Sequence, residues 1–198
     1  TLASAERVIT STHQEIEEQY ELYDYYQPEQ MRVIPPGTDL SRFTPANGKE
    51  FDPELFGELG RFLNDPRKPI ILALSRADHR KNIGALVEAY GASLRLQEIA
   101  NLVVVAGNRD DIDELDEGPQ EVLTQLLVAI DRYDLWGKVA FPKHHKQDDV
   151  PIFYRLAALT KGVFVNPALT EPFGLTLIEA AACELPIVAT EDGGPRDI

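Results

Sequence analysis

The sequence predicts an α/β fold in which one parallel sheet is layered between helices, and three observations lead there. Five short apolar runs rich in Val, Ile and Ala recur between residues 70 and 190. None alternates strictly between polar and apolar residues, so each reads as a strand covered on both faces. Amphipathic stretches of helical period separate the runs, and strand–helix alternation implies parallel pairing through right-handed crossovers. The expected architecture is a Rossmann-like layer sandwich.

The chain opens differently. "RVITSTHQEIEEQYELYDYY" (7–26) reads as a strand and then a helix. Tyr20, Tyr23, Tyr25 and Tyr26 cluster on that helix with no basic residues between them, which favours packing between two domains over stacking on bases. "MRVIPPGTDLSRF" (31–43) follows, where Pro35, Pro36 and Gly37 stiffen and then turn the chain as a domain boundary would. Residues 1–33 are therefore expected to be the tail of a preceding domain, 34–50 a linker, and 51–198 a second domain.

Within that second domain, "DPELFGELGRFL" (52–63) is an amphipathic helix leading into the first strand, "IILALS" (70–75). The remaining strands are "NLVVVAG" (101–107), "KVAFP" (138–142), "GVFVNP" (162–167) and "PIVAT" (186–190). The helices fall at 82–96, 119–136, 149–160 and 174–184. In 119–136, Val122, Leu126, Ala129 and Ile130 share one face while Gln120, Glu121 and Gln125 turn outward. "TEDGGPRDI" breaks off where another helix should begin, so the chain reads as a fragment.

Composition narrows the function. With 198 residues, 43% hydrophobic and 26% charged, the chain holds one ordinary soluble core. Its net charge of −14 disfavours a nucleic-acid partner. No apolar run is long enough to span a bilayer, the N-terminus is no signal peptide, and Cys183 is the sole cysteine. A cytoplasmic protein without membrane or nucleic-acid partners is expected.

In a parallel sheet the strand C-termini share one edge, where ligands bind. An acidic protein has gathered Arg76, Arg80, Lys81, Lys143 and Lys146 in the loops of that edge. Two of those loops run into helix N-termini, which also favour anions. Together these point to a phosphate or diphosphate ligand, the alternative being that the cations simply solvate loop tips. No Gly-rich turn follows the first strand and no G-x-x-x-x-G-K-S/T is present, so neither NAD nor a P-loop nucleotide is favoured. Gly193–Gly194 could form an anion nest or a plain turn.

"TEPFGLTLIE" (170–179) sets Glu171 at the mouth of a helix and Glu179 eight residues on, a rise of about 12 Å. Glycosidase carboxylates sit about 5–9.5 Å apart, so this pair is too long for a hydrolytic dyad. It suits hydroxyls at opposite ends of a longer polar ligand, such as a sugar and a ribose joined by a diphosphate. The cations of 76–81 would then meet the diphosphate, and the N–H groups of Phe173, Gly174 and Leu175 the sugar. Taken singly, Glu171 also fits a helix N-terminal charge and Glu179 an exposed helical residue. No metal site is expected: His144 and His145 are adjacent and diverge, and "DDIDELDEG" (110–118) lacks the EF-hand glycine.

"SRADHRKNI", "GNRDDIDEL", "PKHHKQDDVPIFYRLAALTKGVFVNPALTEPFGLTLIEAAA" and "VATEDGGPRDI" together resemble the sucrose-phosphate synthases, retaining glycosyltransferases of the GT-B fold, family 4. "PKHHKQ" and "GNRDDID" separate the chain from sucrose synthase, which is similar mainly through "EPFGLTLIEA" and "GGP". The resemblance implies that the chain is the donor-binding half of a GT-B glycosyltransferase. The implied reaction passes glucose from UDP-glucose to fructose 6-phosphate with retention, giving sucrose 6-phosphate.

Carried over by residue, Arg76 and Lys81 would hold the diphosphate, and Glu171 would bind the glucose and steady its cationic transition state. Phe173, Gly174 and Leu175 would offer main-chain N–H groups, Glu179 would bind the ribose, and the uracil would lie near Lys143 and His144. Donor binding requires no cofactor, with Mg²⁺ left undecided. Two departures stand out: Ala77 replaces a frequent proline, and Cys183-Glu184 replaces the usual His-Gly or Cys-Gly. The partners implied are a nucleotide-sugar donor, a sugar-phosphate acceptor, and an N-terminal acceptor domain of the same enzyme lying upstream of Thr1. Without that domain the chain alone is expected to be inactive. Sucrose synthase, another family 4 transferase, or a non-catalytic nucleotide-sugar-binding module are the alternatives.

Overall fold

A computed structural model describes residues 2–48 and 53–198. Two short strands, β1 (Val8–Thr10) and β2 (Met31–Val33), pair in parallel, and α1 (Pro53–Gly60) leads into the main sheet. That sheet is parallel throughout and contains β3 (Ile70–Leu74), β4 (Asn101–Val105), β5 (Val139–Ala140), β6 (Val163–Asn166) and β7 (Ile187–Ala189). The crossovers carry α2 (Ile83–Gly91), α3 (Leu94–Ile99), α4 (Glu117–Arg132), α5 (Val150–Leu159) and α6 (Leu175–Ala182).

The apolar runs fail to alternate because both faces of the sheet are covered. Ile70, Leu72, Val103, Val105 and Phe164 pack with Tyr154 and Leu156 of α5 and Leu177 of α6. Ile71, Leu102, Val104 and Val139 pack on the other side with Val87 of α2 and Leu123, Leu126 and Ile130 of α4. Leu72 and Leu102 have no exposed surface, and burying such a side chain contributes about 1.5–3 kcal/mol. Tyr90 is buried as well, so its hydroxyl donates to the Ala100 carbonyl at 2.8 Å, and burial pushes its pKa up to about 12.

Strand order β5-β4-β3-β6-β7 fixes where a ligand can sit. The chain builds outward from β3 to β5, then returns to the opposite side of β3 with β6. Loops leaving β3 and β6 diverge at this switch point and open a crevice between them.

Several elements differ from expectation. The helix expected at 82–96 is two, because α2 ends at Gly91 and the Ser93 hydroxyl caps α3 by accepting from the Leu96 N–H at 3.3 Å. After β1, residues 15–19 form a wide π turn and Tyr20–Leu22 a 3₁₀ turn, in place of a regular α-helix. Glu15, Glu17, Glu18 and Glu21 repel one another there, and neither turn buries a residue that could anchor it. Tyr23 and Tyr25 are 63% and 69% exposed within this chain, with the Tyr23 ring centroid 6.2 Å from that of Tyr20. Within the stretch read as a linker, Phe43 joins the core edge-on to Tyr154, with ring centroids 6.1 Å apart. Among the described residues no helix is long and apolar enough to cross a membrane.

Candidate active site

The crevice at the switch point encloses about 560 Å³. Ser75, Arg76 and Lys81 wall it after β3, Gly107 after β4, Asn166 at the end of β6, and Glu171–Thr176 at the start of α6. Ser11 and Pro36 approach from the N-terminal segment.

The loop after β3 is shaped by Asp78. Its carboxylate caps the turn His79–Lys81 by accepting from the Arg80 N–H at 2.9 Å, and it pairs with the Arg80 guanidinium at 3.0 Å. Those hydrogen bonds hold the Asp78 pKa down to about 2. Asn82 then takes a left-handed conformation at φ 51° and donates from Nδ2 to the Pro167 carbonyl at 3.1 Å. The Leu169 N–H returns a bond to the Arg80 carbonyl at 2.8 Å. The two loops are thereby stitched together, and Lys81 is delivered to Glu171.

Glu171 is 7% exposed, and a carboxylate that buried needs partners. Lys81 Nζ donates to Oε2 at 2.7 Å and Asn166 Nδ2 donates to the same oxygen at 2.8 Å. Among the described residues Oε1 makes no hydrogen bond. The main chain of Glu171 is clamped too: its N–H donates to the Asp192 carbonyl at 3.2 Å, and its carbonyl accepts from Gly194 N–H at 2.7 Å. This crossing explains the double glycine. A Cβ on Gly193 would sit 2.2 Å from the Glu171 oxygen, and one on Gly194 would sit 2.3 Å from Phe173 Cα. With the Gly194 N–H already used on Glu171, the pair acts as a backbone clamp.

Gly174, at φ 103°, turns the chain into α6, whose first free N–H groups and positive dipole end face the crevice. The structure thus brings together Arg76, Lys81, Glu171, Phe173, Gly174 and Leu175. Glu179 follows Leu175 by four residues and Thr176 by three, on the same helical face. It is half-buried and does not itself line the crevice; it accepts from the Tyr154 hydroxyl at 3.1 Å, and burial raises its pKa.

Lys143 and His144 are the exceptions. Lys143 Nζ donates to the Asp110 carbonyl at 2.8 Å, and His144 Nε2 lies 3.3 Å from Asp110 Oδ1, so both side chains turn away from the crevice. His145 lines it instead. Its N–H donates to Asn108 Oδ1 at 2.8 Å, Asn108 Nδ2 donates back to its carbonyl at 3.0 Å, and its ring lies edge-on to Phe153. Burial lowers the His145 pKa, which favours the neutral ring. Adjacent side chains diverge, and here it is His145, not His144, that faces the crevice.

Arg109 had no predicted role. It is 6% exposed, stacks 3.8 Å from the Phe141 ring centroid, and donates to the carbonyls of Pro142 and Phe141 at 3.1 and 3.3 Å. Its side chain and its N–H, which donates to the Lys143 carbonyl at 2.9 Å, tie the loop of 107–111 to that of 141–146.

Comparison with known proteins bears on the family and the fold. The family described as glycosyl transferases group 1 matches residues 59–198. A probable sucrose-phosphate synthase 2 from Craterostigma plantagineum is 52% identical over the whole chain, which spans 22% of that relative's length. The solved sucrose-phosphate synthase from Thermosynechococcus elongatus superposes with a TM-score of 0.73 at 29% identity, covering 99% of this chain and 43% of that one. Anabaena HepE, solved in complex with UDP, shares the fold with a TM-score of 0.75 at 20% identity, covering 98% of this chain and 47% of that one. Relatives about half identical over the full chain, a family match over most of it, and a parallel sheet with its crevice at the switch point place this chain in the group 1 glycosyl transferases.

Proposed function

We propose that the chain supplies the donor site of an enzyme that transfers glucose from UDP-glucose to fructose 6-phosphate with retention, releasing UDP and sucrose 6-phosphate. The observation that carries this reading is the Lys81–Glu171–Asn166 cluster at the mouth of α6, in a chain about half identical to sucrose-phosphate synthases.

Arg76 and Lys81 meet the diphosphate and offset charge as it leaves. Glu171 presents Oε1 to the glucose, where an ionised carboxylate also steadies positive charge at the anomeric carbon. Main-chain N–H groups of Phe173, Gly174 and Leu175 orient the sugar, and Glu179 takes the ribose. The base end falls to His145, which lines the crevice, while the side chains of Lys143 and His144 pair with Asp110 outside it. Preorganised donors of this kind are typically worth about 3–4 kcal/mol each in the transition state.

The acceptor site belongs to the remainder of a longer enzyme, with residues 1–33 as the tail of its acceptor domain, 34–50 as linker and 51–198 as donor domain. A cytoplasmic setting fits the acidic composition and the single, buried cysteine, Cys183. Incubating the full-length protein with UDP-glucose and fructose 6-phosphate tests the reading. Sucrose 6-phosphate in step with UDP supports it. Turnover with unphosphorylated fructose alone would favour a sucrose synthase, and donor binding without turnover a nucleotide-sugar-binding module.

A further inference from the structure

We infer that Asn166 is a positioning residue for the transfer reaction: it holds Glu171 in register once Lys81 is engaged by the donor's diphosphate. The inference rests on the donor site proposed above.

Lys81 and Asn166 both donate to Oε2 of Glu171, at 2.7 and 2.8 Å. The two donors are not equivalent. Lys81 is a flexible cation at a loop end, and an incoming diphosphate competes with Glu171 for its ammonium. Asn166 carries no charge, closes β6, and is 8% exposed. Its Oδ1 accepts from the Ala168 N–H at 3.1 Å, and its carbonyl accepts from the Thr190 N–H at 3.3 Å. That first bond fixes the amide's orientation, because a flipped amide would set Nδ2 against an N–H and Oδ1 against a carboxylate. Asn166 is therefore rigid where Lys81 is mobile.

The result is a division of labour. In the free protein Lys81 and Asn166 share Oε2. With donor bound, Lys81 turns to the diphosphate and Asn166 alone keeps Oε2 occupied, so Oε1 stays directed at the hexose. Asn166 borders the crevice, but its amide is engaged by Glu171 and the Ala168 N–H, so its part in the reaction runs through Glu171.

The test uses the full-length protein. A panel of UDP-, ADP- and GDP-hexoses first selects the donor, and Kd is measured for that nucleotide-hexose and for the matching nucleotide alone. Asn166→Ala should leave the nucleotide Kd within about twofold, weaken the nucleotide-hexose about tenfold, and lower kcat by at least that factor, as expected for a lost bond to a charged group. Asn166→Asp keeps the shape and removes the donor, so it should lose at least as much; it also keeps the question open to measurement if the alanine variant folds poorly. In a Glu171→Ala background neither change should weaken the nucleotide-hexose further. A full hexose contribution in both variants, an additional loss in the Glu171→Ala background, or an equal loss for the nucleotide alone would overturn the role. A panel that selects another donor corrects the UDP-glucose reading and leaves the Asn166 comparison intact. Binding of no panel member overturns both.

Discussion

Gly193→Ala should damage the site without removing any group that touches a ligand. Gly193 sits at φ 97°, ψ −145°, a region open essentially only to glycine, and forcing alanine there costs about 1–3 kcal/mol. The new methyl would lie 2.2 Å from the Glu171 carbonyl oxygen, where ordinary contact begins at 3.4 Å. That obstacle is main chain and cannot rotate aside, so the segment carrying Glu171 must retreat by about 1 Å. A displacement of that size at a reacting centre costs on the order of 100-fold in rate. We expect Gly193→Ala to lower kcat/KM of the full-length protein by about two orders of magnitude and stability by about 2–4 kcal/mol. Gly84→Ala is the control. A Cβ there meets nothing within 4 Å among the described residues, and in a helix the change should stabilise by about 0.5–1 kcal/mol. Denaturant titration and initial-rate kinetics on both variants decide the matter. A Gly193→Ala protein with normal stability and undiminished turnover would refute the clamp.

Among the described residues three α-helices end on a left-handed residue that is not glycine: Asp134 at φ 48°, Lys161 at 59° and Glu184 at 58°. Each is followed by an N–H bonded back to the last turn, as in Leu185 to the Ala180 carbonyl at 3.1 Å, so Gly at each position should raise stability by about 0.5–1 kcal/mol in thermal melts. Arg109→Ala leaves the buried carbonyls of Pro142 and Phe141 without this donor and should cost about 2–4 kcal/mol by urea unfolding. Burial raises the Glu179 pKa above 4.5, against the pull of the Tyr154 hydroxyl. The folded state therefore binds that proton more tightly than the unfolded chain, and this group's contribution falls as pH rises from 4.5 through the raised value. Glu179→Gln should remove that slope from a series of melts just above pH 4.5.

The strands were legible because a doubly covered parallel strand leaves an unbroken apolar run, as "NLVVVAG" does for β4. The segment after β1 was harder. Its residues have helical propensity, but their like charges and lack of a buried stripe leave only wide and tight turns. At the site, Glu171 and Lys81 were visible as charges in loops at the strand C-termini. Asn166 was not: it ends an apolar run and carries no charge, and its importance arises only when β6 meets the loop holding Glu171. His144 and His145 differ solely in which side of the chain they occupy, a choice made by Asn108 from another loop.

The central claim is that the crevice between β3 and β6 holds a nucleoside diphosphate through Lys81 and its neighbours. Calorimetric titration of the protein with UDP, GDP and ADP, repeated on Lys81→Ala, tests it most directly. The account predicts that UDP is preferred and that its binding, with that of GDP and ADP, weakens at least about tenfold in Lys81→Ala, as for a lost bond between charged groups. Binding of UDP with unchanged affinity in Lys81→Ala would contradict it and move the donor to another part of the molecule.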